Sequence, residues 1–134
     1  FYNWNNDIFI HLFTDAIEAH KKWMETLRSM AERMEIYPLQ TDDKKCKFGH
    51  YYHGIRPIHE EIVPLWEEVD SLHHHLHSMG QKATEAIDAH DKKKANEYYG
   101  EAKSSSKKLL GLFETLIKEA ETLSKKGECI FCLE

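Results

Sequence analysis

The sequence predicts an all-α fold, an antiparallel four-helix-bundle-like domain with a short Cys-bearing helix or turn. Three observations carry this. Apolar residues recur at spacings of three and four over three long stretches. No stretch alternates apolar and polar residues with the period of two that a strand requires, and no repeat of twenty to fifty residues is visible. Pro38, the pair Pro57 and Pro64, and Gly127 fall where the helical patterns start or stop.

The first helix opens on Asn5, Asn6 and Asp7, whose short polar side chains can accept hydrogen bonds from first-turn amides. From there a stripe runs Ile8, Leu12, Ala16, His20, Trp23, Leu27, Met30, Met34. His20 stands where most helices place leucine; taken alone, it reads as readily as a core histidine bonded to a neighbour as it does a ligand. Ile36-Tyr37-Pro38 is expected to end the helix, since proline lacks an amide hydrogen and restricts the residue before it. A polar connection from Leu39 to Lys45 leads to Cys46–Gly54, a short helix or tight turn. Phe48, Tyr51 and Tyr52 anchor that segment on the core, and Gly49 lets its backbone come close.

Pro57 and Pro64 bracket the next connection, with Pro64 suited to a first helical turn. The helix that follows carries Leu65, Val69, Leu72 or His73, Leu76 or His77, Ala83 and Ile87, and Gly80 marks a point at which it can bend. Asp88-Ala89-His90-Asp91 reads as a helix end followed by a new N-cap. The last helix runs through Ala95, Tyr98, Ala102, Leu109, Phe113, Leu116, Ala120 and Leu123 with a lysine-rich outer face. Gly127 closes it. The expected organisation is one domain over residues 1–126 and a tail over 127–134.

At 134 residues the chain can bury a substantial core without staples. Its net charge of −5 and interspersed signs offer no basic footprint, so nucleic acid is not an expected partner. No apolar run is long enough for a membrane span, and Phe1-Tyr2-Asn3-Trp4 is not the start of a secretory signal, so no membrane partner is expected either. The first residue is not Met, as in a segment of a longer protein. Three cysteines do not make an even disulfide framework and point to a reducing compartment, where thiols serve metal or redox chemistry.

Ten histidines against three cysteines is the unusual feature. His73 and His77 are one turn apart and share a face, within reach of one ion, whereas His74 and His75 point away from it. His20 lies on the stripe of another helix, and Cys46 sits in the aromatic segment between the two. Three imidazoles and one thiolate suit zinc, a borderline cation that takes nitrogen and sulfur in tetrahedral geometry; magnesium and calcium prefer oxygen. His20, Cys46, His73 and His77 are therefore the expected ligands of one Zn2+.

His20-Lys21-Lys22-Trp23, Cys46-Lys47-Phe48-Gly49-His50-Tyr51-Tyr52 and His73-His74-His75-Leu76-His77 together resemble the H…C-x-[F/L]-G-x-W…H-x-x-x-H pattern of the chemoreceptor zinc-binding (CZB) domain, over residues from about 10 to 120. The pattern departs at Tyr51, where the family usually has tryptophan, and does not include Cys129 or Cys132. The resemblance implies zinc on the same four residues and a cytoplasmic bacterial regulatory domain with no catalytic turnover. It further implies a homodimer attached to a chemoreceptor signalling domain or a diguanylate cyclase. The expected stimulus is zinc or an oxidant such as hypochlorous acid, sensed by the Cys46 thiolate.

A hemerythrin-like iron or oxygen-binding bundle is the alternative, but such sites use several carboxylates in paired Glu-x-x-His motifs, and only Asp70-x-x-His73 approximates one. A catalytic zinc site would need an open coordination position that four protein ligands do not leave. A nucleophilic pairing of Cys46 with His50 and a purely structural interaction module are further readings. His50 and His53 are expected beside the site, and His11, His59 and His90 at the surface or in caps. Cys129-x-x-Cys132 could supply half of an intersubunit zinc site, a redox pair, or only a flexible end.

Overall fold

Four helices hold most of the residues described by the computed structural model, which are 4–43, 45–54, 57 and 59–128; no strand occurs among them. They are α1 (Trp4–Arg33), α2 (Lys47–Gly54), α3 (Val63–Asp88) and α4 (Lys92–Lys125). The side chains of Tyr51 and His53, and the tail cysteines Cys129 and Cys132, lie outside the described residues.

The helix ends follow local chemistry. Asp91 caps α4 by accepting a hydrogen bond from the Lys94 amide at 3.1 Å, and Pro64 sits in the first turn of α3 as expected. α4 ends at Gly127 (φ 75°), with the Glu128 amide bonded to the Leu123 carbonyl and the Gly127 amide to that of Ser124. Left-handed residues close the other two long helices in the same way, His90 (φ 58°) after α3 and Met34 (φ 54°) after α1. α1 thus stops at Arg33, short of the expected Ile36-Tyr37-Pro38 boundary. The left-handed Met34 and the Glu35 amide bond to the Met30 carbonyl end it before proline can.

Hydrogen bonds between the ends fix the helix directions. Asn6 Nδ2 donates to Ser124 Oγ and to the Glu128 carbonyl, and Lys92 Nζ to the Glu32 carbonyl, so α1 and α4 are antiparallel. α3 and α4 are joined by three residues and are antiparallel as well, which leaves α1 and α3 running the same way. Between them the chain returns partly as loop and partly as α2, with Cys46 beside His73 and the Tyr52 hydroxyl donating to the Trp66 carbonyl. The bundle therefore alternates direction along the sequence, and its second limb is helical only over α2.

The core is aromatic at one end. Phe13 meets Phe48, Trp66 and Phe113 with ring centroids 5.0–5.9 Å apart, and Tyr52 stacks on Trp66 at 4.5 Å. A smaller cluster of Met30, Ala86, Ile87 and Ala95 fills the end near the α3–α4 turn. The histidines lie between these two regions. α3 continues unbroken through Gly80, which serves packing: a Cβ built there would stand 2.6 Å from two carbons of the Trp23 ring. Glycine lets α1 lay its indole directly on the α3 backbone.

Candidate metal centre

Each of the three long-stripe histidines is placed by its helix. His20 projects inward from mid-α1, and His73 and His77 from successive turns of α3; they are 3%, 1% and 1% exposed. Cys46 stands just before α2, half-buried, where its carbonyl accepts the first helical bond from the His50 amide. One donor atom from each of these four residues lies within 4.8 Å of the others.

His73 is the hub. Its Nε2 is 3.1 Å from Nε2 of His20, 3.1 Å from Nε2 of His77 and 3.3 Å from Cys46 Sγ. The other nitrogens of two rings settle their tautomers. His20 Nδ1 is 2.8 Å from the Ala16 carbonyl oxygen and His77 Nδ1 is 2.8 Å from that of Gln40. A carbonyl can only accept, so both rings carry hydrogen on Nδ1 and present an Nε2 lone pair to the cluster. One hydrogen on His73 Nε2 could not serve two nitrogens and a sulfur at once. A cation resolves this: donors bound at zinc in a tetrahedron stand about 3.3–3.6 Å apart, near the three short separations observed. The donor set fits zinc: three nitrogens and one sulfur, every pair within 4.8 Å.

Burial sets the charge states. It pulls the His20 pKa down to about 4, outweighing the Ala16 hydrogen bond, and it also lowers that of His77. These rings are neutral near pH 7, the form that ligates. Burial pushes the Cys46 thiol up, against the lowering effect of the Gly49 and Phe48 amides. A bound cation would supply the missing stabilisation of the thiolate.

These shifts predict how the metal-free protein responds to acid. The folded pKa of His20 lies below its unfolded value near 6.5, so its contribution to stability is fully present above pH 6.5 and is lost as pH falls toward 4. Denaturant unfolding of the metal-free chain at pH 7.5 and 4.5 should show a loss of about 2.5 kcal/mol from this group. His77 adds to it in the same direction. His20→Leu should flatten the profile.

The surroundings hold the donors in place. Trp23 packs on the His77 ring at 4.9 Å and donates from Nε1 to the Gln40 carbonyl, the same oxygen that His77 uses. Phe48 packs edge-on against His73 at 5.1 Å, and Phe113 lies 5.9 Å from the His20 ring. His74 is exposed and bonds Asp43 Oδ1 at 3.2 Å, fastening the loop to α3; His75 and His50 are exposed outside the cluster. His59 pairs with Glu128 at 2.8 Å, far from the donors, while His11 is exposed and His90 is the left-handed cap. Gln40 was not foreseen, because it acts through a backbone carbonyl that every residue possesses. Trp23 was legible only as a core residue.

The profile of the chemoreceptor zinc-binding domain matches residues 20–84, a span that opens on His20 and contains Cys46, His73 and His77. Over these residues, just under half of its length, the chain is similar to the chemoreceptor zinc-binding domain family. Over 76 residues, 54% of its length, it is 31% identical to the diguanylate cyclase DgcZ of Escherichia coli (strain K12), and the aligned region covers 26% of that protein. The chain thus spans about a quarter of the curated relative it matches. No solved structure matches it. The chemoreceptor zinc-binding domain is a regulatory sensory domain, here with a His, Cys, His, His cluster buried in a helical bundle. No helix among the described residues is long and apolar enough to cross a membrane.

Proposed function

We propose that this chain is a cytoplasmic sensory domain that holds one Zn2+ on His20, Cys46, His73 and His77 and uses Cys46 as its redox-responsive ligand. The observation that carries the reading is the convergence of four donor atoms within 4.8 Å, two of them imidazole nitrogens whose tautomers direct lone pairs inward. Zinc there would hold Cys46 as thiolate, the form that oxidants attack. Four protein donors close the coordination shell, which suits a regulatory rather than a catalytic role.

Oxidation of Cys46 to sulfenic acid, with hypochlorous acid as the oxidant class, removes the anionic donor. Cys46 borders α2, whose Phe48 packs on Phe13, His20, His73 and Phe113, so a change at the sulfur is felt directly by the aromatic core. The output would be a diguanylate cyclase or a chemoreceptor signalling domain joined to this one, and a homodimer would relay the change. Likeness to a protein named a diguanylate cyclase supports the first of these.

Elemental analysis of the purified chain and of Cys46→Ala tests the reading. Wild type should retain about one zinc per chain and the variant should release it more readily to a chelator. Iron at about two per chain would replace it with an iron or oxygen-binding bundle. Absence of metal after zinc loading would leave only a helical interaction module.

A further inference from the structure

On the flank where α1 meets α4, away from α2 and α3, the surface opens into a groove of about 360 Å³, within the range of small-molecule sites. Its floor is apolar, made by Met24, Leu110 and the half-buried ring of Tyr99. Three ammonium groups, those of Lys21, Lys103 and Lys107, stand around it. The single carboxylate in the lining is Glu25, and its Oε2 is already held by Arg28 Nη2 at 2.7 Å. The groove therefore presents net positive charge on a chain whose net charge is −5.

A second observation points to a ligand. Ser106 lines the same groove, is only 5% exposed, and makes no hydrogen bond among the described residues. The helical threonines Thr14, Thr26, Thr84, Thr115 and Thr122 each bond the carbonyl one turn back, whereas Ser106, like the buried Ser105 beside it, does not. A buried hydroxyl without a partner is unfavourable unless something else supplies one. Ser106 lines the groove.

We propose that this α1–α4 groove binds a small amphipathic carboxylate, its apolar body on Met24, Leu110 and Tyr99 and its carboxylate among the three lysines, with the Ser106 hydroxyl donating to it. A carboxylate accepts from ammonium groups and from the hydroxyl, whereas a cation or a neutral alcohol satisfies at most part of the lining. The inference does not rest on the metal centre, whose donors come from α1, α3 and the residue before α2 and do not line the groove.

The test uses the full chain, loaded with zinc, and titrates it with decanoate, observing amide chemical shifts and heats of binding. Decyltrimethylammonium and decanol are the charge controls. Saturable binding of one decanoate per chain, with shifts centred on residues 21–25 and 99–110, is expected. The double reversal Lys103→Glu/Lys107→Glu should weaken it by about tenfold or more, and Ser106→Ala by a few-fold. Both lysines are exposed, so the double variant should fold normally. Absence of saturable binding at roughly millimolar decanoate, equal binding of the cationic amphiphile, or indifference to the lysine reversals would overturn the proposal. Coverage of the groove by a second copy of the chain, seen as dimer-dependent protection of the same residues, would overturn it too. Zinc content measured on the same samples keeps this outcome separate from that of the metal site.

Discussion

Replacing His73 with alanine is expected to lower zinc affinity by more than about 100-fold, since loss of a mere supporting partner of a ligand already costs about 10–100-fold. His73 is the ring whose Nε2 lies within 3.3 Å of three other donors, so its removal leaves the rest facing a void. A competition titration against a chromophoric chelator reads the change directly. His75→Ala is the control, because His75 is exposed on the same helix and outside the cluster. Far-UV circular dichroism should show both variants helical. Equal zinc affinity in the two variants would remove His73 from the site.

A single methyl group at Gly80 should have the second large effect. The Cβ of alanine would stand 2.6 Å from two indole carbons, so either Trp23 or the α3 backbone must move. Overpacking of this kind costs about 1–3 kcal/mol. Urea unfolding of Gly80→Ala should show that loss, despite the better helix propensity of alanine. The displacement should also reach the metal, because the same indole packs on His77 and shares the Gln40 carbonyl with it. Zinc affinity should fall by about tenfold or more, the scale seen when a ligand loses its orienting partner. Pairing Gly80→Ala with Trp23→Phe, which deletes the clashing carbons, should cost less than the sum of the two changes. Strict additivity would mean that the contact at Gly80 is not what limits the site.

Most of this architecture was written in residue spacing. The apolar stripes of α1, α3 and α4 follow the helical period closely enough to mark every long helix, and the four donors stood on or between those stripes. His73 and His77 were legible as a pair because a helix places residues four apart on one face. Other features depend on backbone geometry or on contacts between distant segments. The stop of α1 at Met34 is a left-handed conformation that methionine does not advertise. Gly80 looked like a weak point in a helix, and only the approach of Trp23 shows why a side chain is excluded there. The role of Gln40 is a property of its carbonyl, to which the identity of the side chain gives no clue. The common direction of α1 and α3 emerged from hydrogen bonds between residues more than a hundred positions apart.

That one Gln40 oxygen receives hydrogens from both the indole of Trp23 and the imidazole of His77 has a consequence for motion. A peptide plane is a rigid plate that can swivel about its two flanking bonds but cannot split. Swivelling the plate between residues 40 and 41 would unlatch both rings in one stroke, turning the Trp23 donor over to solvent and stranding the part-buried His77 donor at about 1–3 kcal/mol. No arrangement frees the loop while leaving the imidazole oriented by it. The orientation of His77 and the seating of the Trp23 indole therefore hang on one peptide plane, while the Thr41–Gln81 and Asp43–His74 bonds hold the loop that carries it on α3.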